Sequence, residues 1–323
     1  MRWSSVFAIL IASVVCAYAQ QPSGTIEHTR NKMMKFENGL IISWSGVTED
    51  ASANQVDIFD GEGRPITSFN VLRLVPEAKR VSIYDVSASP GRMIAVAAVY
   101  ASKEGNQKVR PTASLLLFDF GGNLLSTFAL EPWRQISRLA IDDDANLWTL
   151  TTHADSKDTS TLPMVVEYST DGAVVKELLP RSMFPLHAAS TKENSTIGSP
   201  SMGYDSSSGL WFWLPGSTEL VIVPAREGTP AVMKTGLPKS SLHEGPHNIV
   251  RESSGNVVAQ IREDKDDGSS QLAYYTWSPS TKSWVRFKPG ACNGDWLIGV
   301  GDNKQVYVRP EADRSKICVF AGE

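Results

Sequence analysis

The sequence is poor in the residues that most often carry chemistry. Its 323 residues include only three cysteines and five histidines, and no two cysteines are spaced as a CxxC pair. A structural zinc site needs about four such ligands, so a zinc-ribbon protein is excluded. No Gly-x-Ser-x-Gly segment is present, which removes the α/β-hydrolase nucleophile as an interpretation.

Clusters of basic residues are also missing. The formal net charge is −4, and no stretch groups Lys and Arg in the way that nucleic-acid binding needs. We therefore expect no nucleic-acid partner.

Long apolar runs are absent apart from one near the start. The run from Val6 to Val15 follows Arg2 and precedes Ala17-Tyr18-Ala19, a small-x-small pattern. This order is typical of a secretory signal peptide, and the run is shorter than the ~20 residues of a membrane span. The sequence predicts a signal peptide over residues 1–19 and a single exported domain over residues 20–323. We expect it to be secreted or periplasmic, with no membrane span.

The cysteines allow two further predictions. Cys16 raises lipid anchoring as an alternative, but Val15 is not the small residue that a lipobox requires before the cysteine, so we expect no lipid anchor. Only Cys292 and Cys318 follow the predicted leader. An even count in an exported protein favours a disulfide between them, worth roughly 3.5 kcal/mol in the chain-entropy model. Two buried thiols are the alternative.

Two kinds of hairpin alternate along the chain. One is an apolar strand, a turn with Gly and a second strand, as in VDIFDGEGRPITSFNV from Val56 and LLLFDFGGNLLSTFAL from Leu115. The other has a polar turn centred on Gly or Asn, as in SRLAIDDDANLWTLTTH from Ser137. Gly and Asp in such turns indicate tight hairpins, and helical periodicity is nearly absent.

The alternation predicts six repeats of about fifty residues and four strands each, which is typical of β-propellers. The sixth repeat has one strand in its second hairpin, KICVF over 316–320, and a strand near 24–29 could complete it. The predicted fold is therefore an all-β, six-bladed β-propeller of four-stranded antiparallel blades. The N-terminal strand is predicted to close the ring, because an open ring leaves strand edges exposed.

Two segments resemble a known group of propellers. LAIDDDANLWTLTT over 139–152 and IVRESSGNVVAQI over 249–261 are similar to NHL-type repeats and to blades of the senescence-marker/gluconolactonase propellers. The resemblance implies a six-bladed propeller over the whole mature chain. Such propellers include lactonases, lyases and scaffolds without chemistry, so the fold leaves the function open.

The loops predict where ligands bind. Loops between strands one and two, and three and four, share one face and are short here. The other loops share the opposite face and are long, as over 179–200 and 236–247. Long loops on a rigid scaffold are the usual place for binding, and four of the five histidines fall there. The predicted binding residues are His153, His187, His243, Glu244, His247 and Asn248. Solvated histidines that bind nothing are the alternative.

The segment Glu244-Gly245-Pro246 is similar to the Glu-Gly-Pro that opens the first blade of gluconolactonase propellers, where the glutamate is a metal ligand. The resemblance implies that Glu244, with His247, would bind a divalent metal, Ca²⁺ or Zn²⁺. Here the segment opens the fifth predicted blade, and no Pro-Asn-Gly segment supplies the family's other ligand. Apart from that metal, the sequence indicates no cofactor.

The tryptophans are predicted to serve packing first. Trp148, Trp211 and Trp213 lie in predicted strands and should fill space between blades, whereas Trp133 or Trp296, near blade entrances, could line the pore mouth.

These observations predict a monomeric scaffold that binds an unidentified protein or small-molecule ligand through its long-loop face. The alternative is a metal-dependent, lactonase-like hydrolase or a lyase with its site at the pore mouth. A catalytic metal site requires its ligands to converge on one point, whereas a binding surface does not, and the sequence alone leaves both open.

Overall fold

The computed structural model describes residues 24–27, 33–46, 54–75, 78–89, 91, 93–102, 113–131, 134–153, 162–180, 200–214, 219–224, 230–234, 248–251, 255, 257–264, 266–278, 281, 283–287, 296–301 and 304–321. These residues form six antiparallel sheets of four strands each.

The first three blades follow one another along the chain. Blade 1 consists of β2 (Met33–Glu37), β3 (Leu40–Trp44), β4 (Gln55–Asp60) and β5 (Pro65–Asn70). Blade 2 consists of β6 (Ala78–Ser89), β7 (Met93–Ser102), β8 (Ala113–Phe118) and β9 (Leu124–Ala129). Blade 3 consists of β10 (Arg134–Ile141), β11 (Leu147–His153), β12 (Pro163–Tyr168) and β13 (Val174–Pro180).

The last three blades complete the ring. Blade 4 consists of β14 (Ser201–Asp205), β15 (Gly209–Trp213), β16 (Glu219–Val223) and β17 (Ala231–Lys234). Blade 5 consists of β18 (Asn248–Arg251), β19 (Val257–Asp264), β20 (Ser270–Ser278) and β21 (Ser283–Phe287). Blade 6 consists of β22 (Trp296–Val300), β23 (Gln305–Arg309), β24 (Lys316–Ala321) and β1 (Gly24–Glu27).

The ring closes through the N-terminal strand, as predicted. Strand β1 pairs antiparallel with β24 and places Ile26 opposite Ile317. Each blade contacts the next, and β2 of blade 1 contacts β22 of blade 6. The predicted all-β, six-bladed propeller with four-stranded antiparallel blades is therefore confirmed.

The burial pattern explains why these segments form blades. Inner strands are buried on both faces, as in LIISW of β3 and ASLLLF of β8. The outermost strand β9, LLSTFA, is half-buried and has every second residue exposed. A strand buried on both faces reads as a continuous apolar run, and a half-buried one alternates with period two.

The blades pack face to face through aliphatic and aromatic side chains. Ile42 and Ile58 of blade 1 share a buried cluster with Val81 and Ile83 of blade 2. The predicted packing role of three tryptophans is confirmed, since Trp148, Trp211 and Trp213 are at most 6% exposed.

The one helix in the described residues, α1 (Val71–Leu74), joins blades 1 and 2. Asn70 caps it by accepting a hydrogen bond from the Arg73 backbone N–H at 3.2 Å. Across the part of the chain that the structure describes, no helix has the length and apolar character to cross a membrane.

Candidate functional site in the central channel

A cavity of about 740 Å³ lies at the centre of the ring. All six innermost strands line it: β2, β6, β10, β14, β18 and β22. Each begins after a blade-to-blade connection and ends at a tight turn, so the channel runs from the long-loop face to the short-loop face. Its volume lies within the roughly 300–1,000 Å³ typical of small-molecule sites.

Polar side chains engage the free edges of the innermost strands. An edge strand presents unpaired N–H and C=O groups, which need partners when they are buried. Ser201 donates from its hydroxyl to Ile249 O, and Asn248 donates from Nδ2 to Leu297 O at 3.0 Å. Each of these bonds ties one blade to the next.

A buried ionic cluster joins blades 1, 2 and 3 at the channel wall. Lys35 Nζ lies 3.2 Å from Glu37 Oε2 and 3.4 Å from Asp85 Oδ2. It also donates to Leu139 O at 3.2 Å, while the Leu139 N–H donates to Asp85 Oδ2 at 2.8 Å. One lysine thus faces two carboxylates.

A β-bulge at Tyr84 helps to position Asp85. In the β6–β7 ladder Ile83 pairs with Ala98 and Asp85 pairs with Ala97, so Tyr84 is the extra residue. Bulges re-aim side chains and are frequent near functional sites. Here Asp85 is 1% exposed and borders the cavity.

Burial raises the pKa of the Glu37 carboxyl above 4.5, an effect that the positive charge of Lys35 opposes and the negative charge of Asp85 reinforces. Neither carboxylate oxygen of Glu37 receives a hydrogen bond of good geometry from the described residues. Burial therefore favours the protonated form of the Glu37 carboxyl more than water does, and a further donor or cation would offset this effect.

Glu37 should make stability fall as the pH rises above 4.5. Because the pKa of Glu37 is raised in the folded protein, the folded protein keeps a proton that the unfolded chain has already released. The resulting stabilisation is full below pH 4.5 and is lost as the pH rises through the raised pKa. Relative to wild type, Glu37→Gln should gain stability between pH 4 and pH 7. The size of the gain depends on how much more tightly the folded protein binds this proton than the unfolded chain does. Each tenfold difference in proton affinity corresponds to ~1.4 kcal/mol. Urea unfolding at both pH values measures this.

The matched control is Glu62→Gln, because the Glu62 side chain is 74% exposed. It should show no comparable pH-dependent gain. Equal pH profiles for the two variants would contradict the prediction.

On the other side of the channel, blades 4 and 5 contribute Asp205 and Arg251. The Arg251 side chain is 9% exposed, and its Nη2 lies 3.7 Å from Asp205 Oδ2, beyond hydrogen-bond distance. Burial lowers the pKa of the Arg251 guanidinium, and the negative charge of Asp205 opposes that shift.

The predicted turn at Asp142–Asn146 is confirmed. Asp142 Oδ1 accepts the backbone N–H groups of Asp144 and Asn146 at 2.9 and 2.8 Å, and Oδ2 accepts Trp148 Nε1 at 2.9 Å. Although Asp142 borders the cavity, its oxygens hold this turn.

Aromatic and thioether side chains supply the apolar part of the lining. Trp296, at the start of β22, is 44% exposed and borders the cavity, as predicted for one of the two entrance tryptophans. Trp44, Trp211, Tyr204 and Met202 also border it.

The structure places two of the six predicted binding residues. Asn248 borders the channel and donates to Leu297 O, so it serves at least as a contact between blades. His153 ends β11 and pairs in register with Arg134. His187, His243, Glu244 and His247 lie outside the described residues, and with them the predicted metal ligands. Among the residues that are described, no three His, Cys, Asp or Glu side chains group as a metal site.

The sequence interpretation missed Lys35, Glu37, Asp85 and Arg251. A signal was available, because each is a charged residue in or at the end of an otherwise largely apolar first strand: MMKFE, VSIYD and NIVR. Charged residues are rarely buried unless they are paired or functional.

Comparisons with known proteins give similarity of fold. No protein-family model matches the sequence, and no curated protein matches it. The NHL-type and gluconolactonase-like resemblance therefore stays a prediction.

Solved structures similar to this chain include the following three. A protein of unknown function from Bacteroides caccae has a TM-score of 0.48 and 10% identity, covering 81% of this chain and 83% of that chain. A glucose dehydrogenase has a TM-score of 0.46 and 12% identity, covering 93% and 99%. A YCF48 bound to a D1 peptide has a TM-score of 0.45 and 10% identity, covering 93% and 97%. Identities this low assign no function to this chain.

Proposed function

We propose that this propeller is a binding protein whose ligand is a small molecule held in the central channel. The observation that carries the proposal is the cavity of about 740 Å³ with its mixed lining. Apolar and aromatic side chains provide contact area there, and a few converging charged groups provide orientation, which is the usual composition of a ligand site.

The long-loop face is the proposed entrance. Ser201, Asn248 and Trp296 each begin an innermost strand, at the channel end next to the long connections. The predicted binding residues His187, His243 and His247 belong to these connections in the sequence and lie outside the described residues. Loops on a rigid scaffold can adapt to a ligand while the channel wall stays fixed.

No observation on the described residues favours the lactonase-like or lyase alternative. Its candidate ligands, Glu244 and His247, lie outside those residues.

The test is a small-molecule screen followed by a binding measurement. Ligands should raise the thermal midpoint and alter tryptophan fluorescence, because Trp296, Trp44 and Trp211 border the cavity. Trp296→Ala should weaken the binding of a ligand found in this way by ~10-fold, through lost aromatic contact.

Trp284→Ala is the control, since Trp284 lies on the outermost strand β21 and its ring packs at a tilt against Trp277, with the ring centroids 5.4 Å apart. It should leave the affinity unchanged. Equal affinities for both variants, or a screen without any ligand, would overturn the channel as the site.

We also propose that the chain is exported after cleavage near residue 19 and acts as a monomer with a Cys292–Cys318 disulfide. Cys318 is buried on β24, and Cys292 lies outside the described residues. The N-terminal sequence, the solution mass and the thiol content of the exported protein test the three points.

A further inference from the structure

Arg251 is a buried cation whose hydrogen-bonding capacity is largely unused. Its side chain is 9% exposed and borders the central cavity. Nε and Nη1 are buried, and neither has a hydrogen-bond acceptor within the described part of the chain. Leaving buried donors without acceptors is costly, so such a group points to a missing partner.

Asp205 does not fill this role, because its carboxylate is committed elsewhere. Oδ1 accepts from the Ser207 N–H and from the Ser207 hydroxyl, each at 2.8 Å, and Oδ2 accepts from the Ser208 hydroxyl at 2.5 Å. These bonds hold the turn after β14. Asp205 therefore balances the charge of the guanidinium, while its Nε and Nη1 lack a hydrogen-bond acceptor within the described part of the chain.

The opposite wall presents hydrogen-bond acceptors, whereas Arg251 presents donors. Glu37 Oε1 and Asp85 Oδ1 are buried, receive no hydrogen bond of good geometry from the described residues, and are not the oxygens that Lys35 contacts; both side chains border the same cavity. Within the described part of the chain, Lys35 is the one cation in ion-pair contact with both carboxylates, so a single positive charge is shared between two acidic groups.

The Glu37 and Asp85 carboxylates lie across the channel from the Arg251 guanidinium. Glu37 and Asp85 belong to blades 1 and 2, and Arg251 and Asp205 to blades 5 and 4. Since the blades follow in order around a ring of six, these pairs lie half a turn apart. Glu37 and Arg251 are the last residues of β2 and β18, so both lie toward the short-loop end.

We propose that the channel binds a small zwitterion of the amino-acid or short-peptide class, with its carboxylate on Arg251 and its ammonium group against Glu37 Oε1 and Asp85 Oδ1, the oxygens that Lys35 does not contact. This inference rests on the proposed function of the channel as a ligand site. Met202, Tyr204 and Trp211, which border the cavity beside Arg251, offer apolar contacts to the ligand side chain. The ammonium group supplies the donors that the carboxylates lack, and the carboxylate supplies acceptors for the guanidinium.

The experiment begins with the full chain and two probe sets, the twenty free amino acids and a set of dipeptides, followed by calorimetry. The tightest binder is then compared with its C-terminal amide, which lacks the carboxylate, and with its N-acetyl form, which lacks the ammonium. Each blocked form should bind at least about thirtyfold more weakly. The two probe sets distinguish free amino acids from peptides.

Variants assign each end of the ligand. Arg251→Gln should weaken the free form at least about thirtyfold and leave the amide unchanged, while Glu37→Gln should weaken the free form and spare the N-acetyl form. Arg64→Gln and Glu62→Gln, whose side chains are 72% and 74% exposed, are the matched controls.

The outcomes separate this inference from the proposed function. Ligands of another class that bind in a Trp296-dependent way, with no zwitterion among them, would overturn the zwitterion and keep the channel. Blocked forms that bind as tightly as the free form would also overturn it. That comparison uses wild-type protein, so it stands even if Arg251→Gln does not fold.

Discussion

Replacing Ile26 by aspartate is expected to lower the free energy of unfolding by about 4 kcal/mol and the thermal midpoint by about 10 °C. Ile26 is 9% exposed on β1 and packs in the cluster with Ile317 and Tyr307 between blades 6 and 1. The fit is tight, because a Cβ built on Gly63 would lie 2.1 Å from Ile26 Cγ2. An unpaired carboxylate at this position would release β1 and expose the edge of β24.

The matched control is Ile66→Asp. Ile66 lies on the outermost strand β5 and is 44% exposed, so the same substitution should change stability by about 0.5 kcal/mol or less. Urea unfolding of the two variants beside wild type measures the difference. Equal losses would mean that β1 does not hold the ring closed.

The architecture was predictable because its signals are local. Strand and turn residues recur in each repeat, so tight turns such as Asp142–Asn146 could be placed from the sequence. The missing strand of the sixth repeat also had a candidate, and β1 does pair with β24. Blade number, strand order and ring closure all followed from these patterns.

The site was not predictable in the same way, because its residues meet only when the ring forms. Lys35 contacts Asp85 fifty positions away and Leu139 a further blade away. The bulge at Tyr84 changes which side chains of β6 share a face, and strict alternation does not reveal it. The sequence interpretation predicted the site in the long loops because four histidines fall there. The charged side chains of Lys35, Asp85 and Arg251, which border the cavity, lie instead on innermost strands.

The channel wall gathers buried charged groups, whereas the interfaces between blades are mostly apolar. Glu37, Asp85 and Arg251 each keep buried polar atoms that receive no hydrogen bond of good geometry from the described residues. Local violations of polar satisfaction are expected at functional sites, where they lower stability in the absence of ligand. A bound zwitterion would satisfy all three groups at once.

The second large effect on stability is expected at the contact between blade 6 and blade 1. Gly299→Ala is expected to lower the free energy of unfolding by about 3 kcal/mol. A Cβ on Gly299 would lie 2.4 Å from Phe36 Cβ and 2.8 Å from the Phe36 backbone oxygen. Phe36 cannot move aside easily, because its ring stacks on Tyr307 at 4.0 Å and its backbone is part of β2.

Gly61→Ala provides the control at the same end of the ring. Gly61 has no positive φ, and a Cβ there would lie 3.4 Å from Gly39 O and 3.5 Å from the Tyr307 hydroxyl, which are ordinary contacts. Its stability should stay within about 1 kcal/mol of wild type. A Gly299→Ala protein as stable as Gly61→Ala would show that blade 6 does not pack on β2 this closely. The channel wall formed by β2 and β22 would then have to be wider than described, which would also weaken the case for a small ligand held across it.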